Sequence, residues 1–548
     1  MGTHERAGQV AQRKDLVNLP KLMSHYYRVE PDVNHFEQKV SFGTSGHRGT
    51  SLTGSFNQHH IWAIAQAVAD YRERNEILGP MLLGMDTHAL SYAAYMSVVE
   101  VLVANKIQVI TQIGEGFTPT PVISQAIVSI NKSNQFGYQV DGLIITPSHN
   151  PPQDGGIKYN PPHGGPAEFN ITSWIENKAN EYLKANLAGV KTLNYSVAVA
   201  TDFVKQVDFR DSYIEHIENV IDMKAIANSN VKIGVDPLGG SGLHYWKPIA
   251  EKYNLDITLV NDTIDPSFAF MTLDKDGKIR MDCSSPFAMK GLVNYQDDFD
   301  VCIGNDPDYD RHGIVCPQFG LMNPNHYLAV AIDYLLTYRL EWPAELAIGK
   351  TLVSSTMIDK ICAAHQRKLV EVPVGFKWFV DGLANSTIAF GGEESAGAAF
   401  LQRDGSTWCT DKDGFILGLL AAEMIAVTGK SPAQRYQELE LQFGKSFYRR
   451  VDSPVSAAKK VKFSQLTSGS FDCVVLAGEN IKQILTHAPG NNAAIGGVKV
   501  VTENAWFAAR PSGTEALFKI YAESFVSEQH LESVLEQAAE IIDNALTA

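Results

Sequence analysis

Three times along this chain a short apolar run breaks off into a loop too rich in proline, glycine or charge to continue as strand or helix. Residues 140–145 lead into Thr146-Pro147-Ser148-His149-Asn150-Pro151-Pro152. Val301-Cys302-Ile303 leads into Gly304-Asn305-Asp306-Pro307-Asp308-Tyr309-Asp310-Arg311, and Thr387-Ile388-Ala389-Phe390 into Gly391-Gly392-Glu393-Glu394-Ser395-Ala396-Gly397. Each run reads as the buried end of a strand, and the prolines after Asn150 forbid ladder or helix beyond it. α/β proteins bind ligands at such strand ends, so the pattern predicts α/β units whose loops share one cleft.

Helical spacing at Ile61, Ile64, Ala65 and Val68, in residues 98–103 and in residues 327–340 alternates with strand signals at Met81-Leu82-Leu83 and residues 231–235, and Thr351-Leu352-Val353 is a further short segment. The turn Gly239-Gly240-Ser241-Gly242 leads into a further helix. The last hundred residues hold a strand-rich stretch carrying Arg510-Pro511-Ser512-Gly513-Thr514. They end in a helix whose stripe is Leu531, Val534, Leu535, Ala538, Ile541 and Ile542. A chain of 548 residues is too long for one core and predicts several domains.

The net charge of −15 and pI near 5.5 argue against nucleic acid or an anionic membrane as main partner, so an anionic substrate needs local cations. Six cysteines without C-x-x-C spacing read as reduced core thiols. The first residues have no apolar leader, and nowhere do eighteen apolar residues run together, which predicts a soluble, cytoplasmic protein.

Asp306, Asp308 and Asp310 alternate, so an extended or tightly turned backbone brings three carboxylates toward one point. In isolation they are a solvated acidic turn; directly after a buried strand they call for a cation. The Ca²⁺ loop pattern fails because Arg311 stands at its glycine position and Pro317 at its last ligand position, leaving Mg²⁺. With three protein oxygens, Mg²⁺ keeps room for a phosphate oxygen and water, which points back to the Ser148 hydroxyl. The Glu393 loop suits a polyhydroxylated ligand and equally a helix N-terminus with Glu393 and Glu394 against the dipole. Arg510, Ser512, Gly513 and Thr514 supply the donors that fork onto a phosphate dianion, with Lys519 nearby. Arg48 and Lys377 stand beside glycines and by default are solvated cations.

Other nucleotide and hydrolase patterns fail. Neither Ser148 nor Ser395 has the Gly-x-Ser-x-Gly elbow. The phosphate-binding glycine loop is broken by Ala344 before Gly349-Lys350-Thr351 and by Met424 before Gly429-Lys430-Ser431. Gly240-Ser241-Gly242 lacks the third glycine of a dinucleotide site.

Together, in this order, the four loops resemble those of the α-D-phosphohexomutases, from about Phe42 to Ser524. The resemblance implies an α/β fold of three similar α/β domains with mixed sheets, at residues 1–200, 201–322 and 323–443. A smaller α+β C-terminal domain, 444–548, would complete one central cleft. It implies a phosphoryl group carried on Ser148, with Mg²⁺ held by Ser148, Asp306, Asp308 and Asp310. Arg48, His149, Lys158, Arg311 and Lys377 would surround the group being transferred. Glu393 and Ser395 would contact sugar hydroxyls, and Arg510, Ser512, Gly513, Thr514 and Lys519 would grip the other phosphate. Glu394 and Gly-Phe-Lys-Trp resemble the glucose branch, which implies interconversion of glucose 1-phosphate and glucose 6-phosphate through glucose 1,6-bisphosphate, by a monomer or homodimer. Alternatives are the mannose and glucosamine phosphate reactions, a non-catalytic sugar-phosphate binding protein and a metal-dependent phosphatase. One departure stands out: many relatives follow the sugar-loop serine with Gly-His, whereas Ser395 is followed by Ala396-Gly397. Lys377 and Lys158 are therefore the expected proton handlers.

Overall fold

The computed structural model describes residues 3–43, 46–454, 457–464, 466–471, 473–511 and 517–547. Its first sheet has six strands in the order His47–Thr50, Asp154–Asn160, Asp141–Ile145, Met81–Met85, Val109–Gln112, Val204–Val207. The last four run parallel and the first two antiparallel to their neighbours. The second sheet has five strands, Gly320–Leu321, His312–Cys316, Val301–Asn305, Lys232–Asp236 and Asp256–Leu259. The third has four, Leu369–Val372, Ala347–Thr351, Ile388–Glu393 and Gly397–Phe400. All three are mixed, each with one reversed strand, which is the edge in the third sheet and next to the edge in the first two.

The same unit recurs in each: a buried parallel strand, a polar loop, and an antiparallel return. Ile144 pairs with Lys158, Ile303 with Ile314, and Phe390 with Phe400. Each loop turns through one non-glycine residue in the left-handed region: Ser148 at φ 58°, Tyr309 at 63° and Ala396 at 69°. Such residues are uncommon and cluster where a surrounding structure holds them. The repeat is one of backbone geometry and leaves no residue-level trace.

The sheets share an apolar core that runs from helix Thr120–Ser133 through the second and third sheets. The helix Gly414–Thr428 lies within it, buried from Gly414 to Met424, as its all-round apolar sequence requires. Among the described residues no single helix is long and apolar enough to cross a membrane. One pair, Gly414–Thr428 with Pro432–Phe443, meets length and composition only across a 74° bend.

The fourth sheet is fully antiparallel, Phe447–Pro454, Leu517–Ser524, Ala505–Pro511, Ala494–Val501 and Gln483–His487, with helix Glu528–Thr547 packed on it. It docks on the third unit through Trp506, Ala508 and Tyr521 against Leu352 and Val353. Buried Glu523 joins the two, accepting from Ser446 Oγ at 2.6 Å, Thr356 N at 2.8 Å, Thr356 Oγ1 at 2.6 Å and Trp506 Nε1 at 2.8 Å.

Two expected boundaries shift. The helix expected over 327–340 is Pro324–Tyr338, started by Asn323, whose side chain accepts from Asn325 N. The strand expected to end at Phe390 runs on to Glu393, because Gly391 and Gly392 pair with Gly349 and Lys350 on one side and with Ala399 and Ala398 on the other.

Candidate active site

The Ser148 hydroxyl is buried, and it donates to Asp306 Oδ2 at 2.7 Å. The loop is tight because the return strand presses on it. A side chain at Gly156 would collide with the carbonyl of Thr146, so only glycine fits there. Ser148 N donates to Thr146 Oγ1 at 2.8 Å, and His149 Nδ1 lies 3.3 Å from Ser148 Oγ. Burial, then Arg311, holds His149 well below its ordinary value.

The acidic loop is the hub. Tyr309 N donates to Asp306 O at 2.9 Å and Arg311 N to Asp306 Oδ1 at 3.0 Å, closing the turn. Tyr309 points into the core, where its ring stacks on Phe415 at 4.4 Å and its hydroxyl accepts from Trp246 Nε1 at 3.0 Å. Backbone bonds then tie the loop to its neighbours. Thr120 N donates to Asp308 O at 2.9 Å from the first unit, while His312 N to Ala396 O at 3.1 Å and Gly414 N to Tyr309 O at 2.8 Å link the third.

Asp306, Asp308 and Asp310 are all buried, with one oxygen from each inside 4.8 Å of the others. Asp308 Oδ2 accepts from Thr120 Oγ1 at 2.8 Å and Lys158 Nζ at 2.6 Å; Asp310 Oδ2 accepts from Lys158 Nζ at 2.9 Å and Lys412 Nζ at 2.7 Å. Asp308 Oδ1 and Asp310 Oδ1 are buried with no hydrogen-bond partner among the described residues. Unpaired buried carboxylate oxygens are costly. Burial and the two neighbouring carboxylates push Asp306 well above its ordinary range, whereas Lys158, Lys412 and Arg311 outweigh burial and hold Asp310 well below it. A hard divalent cation fits this donor set: it would fill the unpaired oxygens and remove the repulsion.

Around the triad, Lys158 is buried and carried above its ordinary value by Asp308 and Asp310 against the pull of burial. Arg311 is raised in the same way, first by Asp282, whose carboxyl sits at about 2 beside His149 and Arg311 despite its burial. Arg48 NH1 donates to Asn150 Oδ1 at 3.2 Å. Lys377 packs between two aromatic rings. Its Nζ lies 5.6 Å from the Phe169 ring centre and 5.5 Å from that of Trp378, and burial lowers its pKa.

Glu393 is buried, accepts from Gly375 N at 3.1 Å, and is pushed up to about 7 by burial against the pull of Lys412. Ser395 lies in the three-residue turn after it, and Glu394 accepts from Thr351 Oγ1 at 2.9 Å. Arg510 sits near the end of strand Ala505–Pro511, paired in register with Lys519. Ser512, Gly513 and Thr514 lie outside the described residues. Tyr521 feels both Glu394 and Arg510, so the fourth unit's strand end approaches the sugar-loop side of the cleft.

Four family models match the chain in succession. They are described as phosphoglucomutase/phosphomannomutase alpha/beta/alpha domain I at residues 39–186, domain II at 211–320, domain III at 323–443 and the C-terminal domain at 475–541. A phosphoglucomutase of Komagataeibacter xylinus is 52% identical over 536 residues, 98% of this chain and 96% of the relative. The chain belongs to the phosphoglucomutase/phosphomannomutase family. Solved structures of family members share its fold. Parafusin, a phosphoglucomutase from Paramecium in an open form, is 22% identical, with a TM-score of 0.73 over 94% of this chain and 96% of its own. A family protein from Burkholderia thailandensis is 16% identical, with a TM-score of 0.70 over 93% and 98%.

Sequence reasoning missed three residues of this family member's site. Thr120 and Lys412 bond the acidic loop from other units, and Asp282 offsets Arg311 and His149. Lys412 carried a signal, a lone base inside Thr410-Asp411-Lys412-Asp413. Thr120 and Asp282 carried none, since only the packing of separate units brings them in.

Proposed function

We propose that this chain interconverts glucose 1-phosphate and glucose 6-phosphate, with Ser148 as the phosphoryl carrier and glucose 1,6-bisphosphate as the intermediate. One observation carries the reading: the buried Ser148 hydroxyl bonds to Asp306 of a carboxylate triad that has oxygens to spare. Asp306, Asp308 and Asp310, with Ser148, would hold Mg²⁺, which supplies charge neutralisation for a phosphoryl group when bound.

The chain's own residues do the rest. Phosphorylated Ser148 gives its phosphoryl group to O6 of glucose 1-phosphate, the P–Oγ bond breaking as the P–O6 bond forms. After the bisphosphate reorients, the 1-phosphate passes back to Ser148 and glucose 6-phosphate leaves. Arg48, His149 and Arg311 line the transfer side, where fixed donors and cations stabilise the charge that spreads over the moving group. Glu393 and Ser395 hold sugar hydroxyls, and the Arg510 loop with Lys519 holds the phosphate at rest. Because that clamp accepts either phosphate, one serine serves both ends.

The proton exchange is assigned to Lys412 rather than to Lys158. Lys158 is fixed between two carboxylates; Lys412 has one, and its chain lies over Gly397, where relatives place a histidine. Lys377, stacked near Phe169 and Trp378, serves as a counter-charge at the rim. The units are proposed to divide at residues 322/323 and 443/444; the expected division at 200/201 falls short of the first unit's end, because strand Val204–Val207 pairs with Val109–Gln112 in the first sheet. Glucose is preferred over mannose and glucosamine on Glu394 and on the name of the 52% identical relative. The test is peptide mass spectrometry of Ser148 with turnover of the three hexose 1-phosphates. One phosphate on Ser148, lost with activity in Ser148→Ala, is expected; full activity in Ser148→Ala, or faster mannose turnover, refutes the carrier or the sugar.

A further inference from the structure

Beneath the Ser148 loop lies a buried ion pair that the reaction above does not use. The strand Met81–Met85 runs parallel to Asp141–Ile145 with Met85 opposite Ile145, and Asp86 N continues the ladder to Ile145 O at 2.9 Å. This register sets Asp86 and His88 against Thr146 and Asn150, and the side chains of both Asp86 and His88 are fully buried. Asp86 Oδ1 accepts from His88 N at 3.0 Å and Ser91 Oγ at 2.6 Å, and Oδ2 from His88 Nδ1 at 2.8 Å and Thr146 Oγ1 at 2.6 Å. Four donors occupy the carboxyl, so it carries no proton.

His88 faces acceptors on both sides, Asp86 Oδ2 at Nδ1 and the Asn150 carbonyl at Nε2, 3.0 Å away. A neutral ring has one N–H; two acceptors require two, so His88 is an imidazolium. The pair then reaches both flanks of Ser148. On one side the Thr146 hydroxyl donates to Asp86 and accepts from Ser148 N at 2.8 Å. On the other, His88 holds the Asn150 carbonyl, while the Asn150 side chain accepts from Arg48 NH1 at 3.2 Å and donates to Asp154 Oδ2 at 3.0 Å. Between these anchors Ser148 sits at φ 58°, a conformation strained for a residue with a Cβ that persists only when over-determined.

We propose that the Asp86–His88 ion pair is a positioning device for phosphoryl transfer, gripping the loop at Thr146 Oγ1 and Asn150 O so that Ser148 Oγ and Arg48 keep one fixed relation. Neither residue touches the transferring group. The proposal rests on the reading of Ser148 as phosphoryl carrier. A loop freed at either anchor still binds sugar phosphate through the other units, but presents its hydroxyl in many orientations. In-line transfer is sensitive to displacements of about 1 Å, which cost on the order of 10²-fold in rate.

The test compares Thr146→Val, Thr146→Ser and His88→Gln with the wild-type chain in excess Mg²⁺. It records kcat and KM for glucose 1-phosphate, inorganic phosphate released per turnover, and the melting temperature. Thr146→Val is expected to lower kcat on the order of 10²-fold with KM within about threefold, and Thr146→Ser to restore it to within about threefold. His88→Gln, which leaves the Thr146 anchor in place, is expected to lower kcat about tenfold or more and to raise phosphate release. If Thr146→Val does not fold, His88→Gln decides by the same split. Wild-type kcat in either variant, no rescue by serine, or losses that track the unfolded fraction in both overturns the proposal. Peptide mapping of the wild-type chain separates the two failures: phosphate on Ser148 with unaltered variants sinks only the positioning role, whereas a wild-type chain that works without it sinks both.

Discussion

The aliphatic chain of Lys412 occupies the space that a side chain at Gly397 would need, and a Cβ built at Gly397 collides with Lys412 Cδ. A side chain at 397 therefore requires this lysine to move from its present place. On the proposal that Lys412 handles the proton, the departure in the sugar loop, Ala396-Gly397 in place of Gly-His, is a change in which element supplies the nitrogen.

It gives a paired prediction. Lys412→Met keeps the packing over Gly397 but removes the amine, and kcat is expected to fall on the order of 10²-fold or more, the ordinary worth of a positioned acid or base. Gly397→Ala keeps the amine but displaces it, and kcat is expected to fall about tenfold. Steady-state kinetics of the two and of the double variant check the coupling. If Gly397→Ala costs nothing once Lys412 is methionine, the two act through one another.

The carboxylate triad predicts a metal-dependent fold as well as a metal-dependent rate. Asp308 Oδ1 and Asp310 Oδ1 have no hydrogen-bond partner among the described residues, and Asp310 Oδ1 has only Arg311 Nε at 3.8 Å, so a bound divalent cation removes a buried penalty. Chelation is expected to abolish turnover and to lower the melting temperature, and Mg²⁺ at about 100 times its Kd to return roughly 2.7 kcal/mol. Calorimetry with and without Mg²⁺ measures it; a melting temperature indifferent to the ion refutes it.

These cases show what was legible in the sequence. The ends of strands were readable because an apolar run followed by Pro147-Ser148 or Asp306-Pro307-Asp308 violates ladder chemistry locally. The fold followed from strands and helices alternating, and the loop residues that converge were those at strand ends. The threefold strand, loop and return unit was not readable, because it is written in φ at Ser148, Tyr309 and Ala396, three unlike side chains. Asp86 and His88 obey the same strand-end rule after Met81–Met85, so the rule could have found them, whereas Thr120 reaches the acidic loop only through packing between units. That two carboxylates close on the Lys158 ammonium is a contact between units, which the sequence does not show.

A further buried ion pair, Arg339–Glu423 within the third unit, ties that unit to the second through Val220 O and Asp222 N. Arg339 donates to Glu423 through NH1 at 2.6 Å and NH2 at 2.9 Å, and Tyr334 OH and Asp222 N add bonds of 2.8 Å each. Removing one partner strands a charge in the core. Glu423→Ala is expected to cost about 3–5 kcal/mol, and Glu423→Leu with Arg339→Met to recover most of that. Denaturant melts of the single and double variants check this; a double variant no better than Glu423→Ala contradicts it.

Glu393 sets function against stability. Burial raises its pKa from an ordinary 4.5 to about 7, so between those values the folded chain keeps a proton that the unfolded chain has released. Folding takes up that proton, and stability falls as pH rises through the window; above it the penalty is complete, at about 3 kcal/mol from ~1.4 kcal/mol per pH unit. Glu393→Gln has no charge to bury. In excess Mg²⁺ its melting temperature is expected to exceed the wild-type value above pH 7, with the difference shrinking toward pH 4.5, while kcat/KM for glucose 1-phosphate falls as a sugar contact is weakened. Melting curves across that range decide it: a difference that does not change with pH means that Glu393 is not buried as a titrating acid, and a variant with unaltered kcat/KM means that it does not hold the sugar.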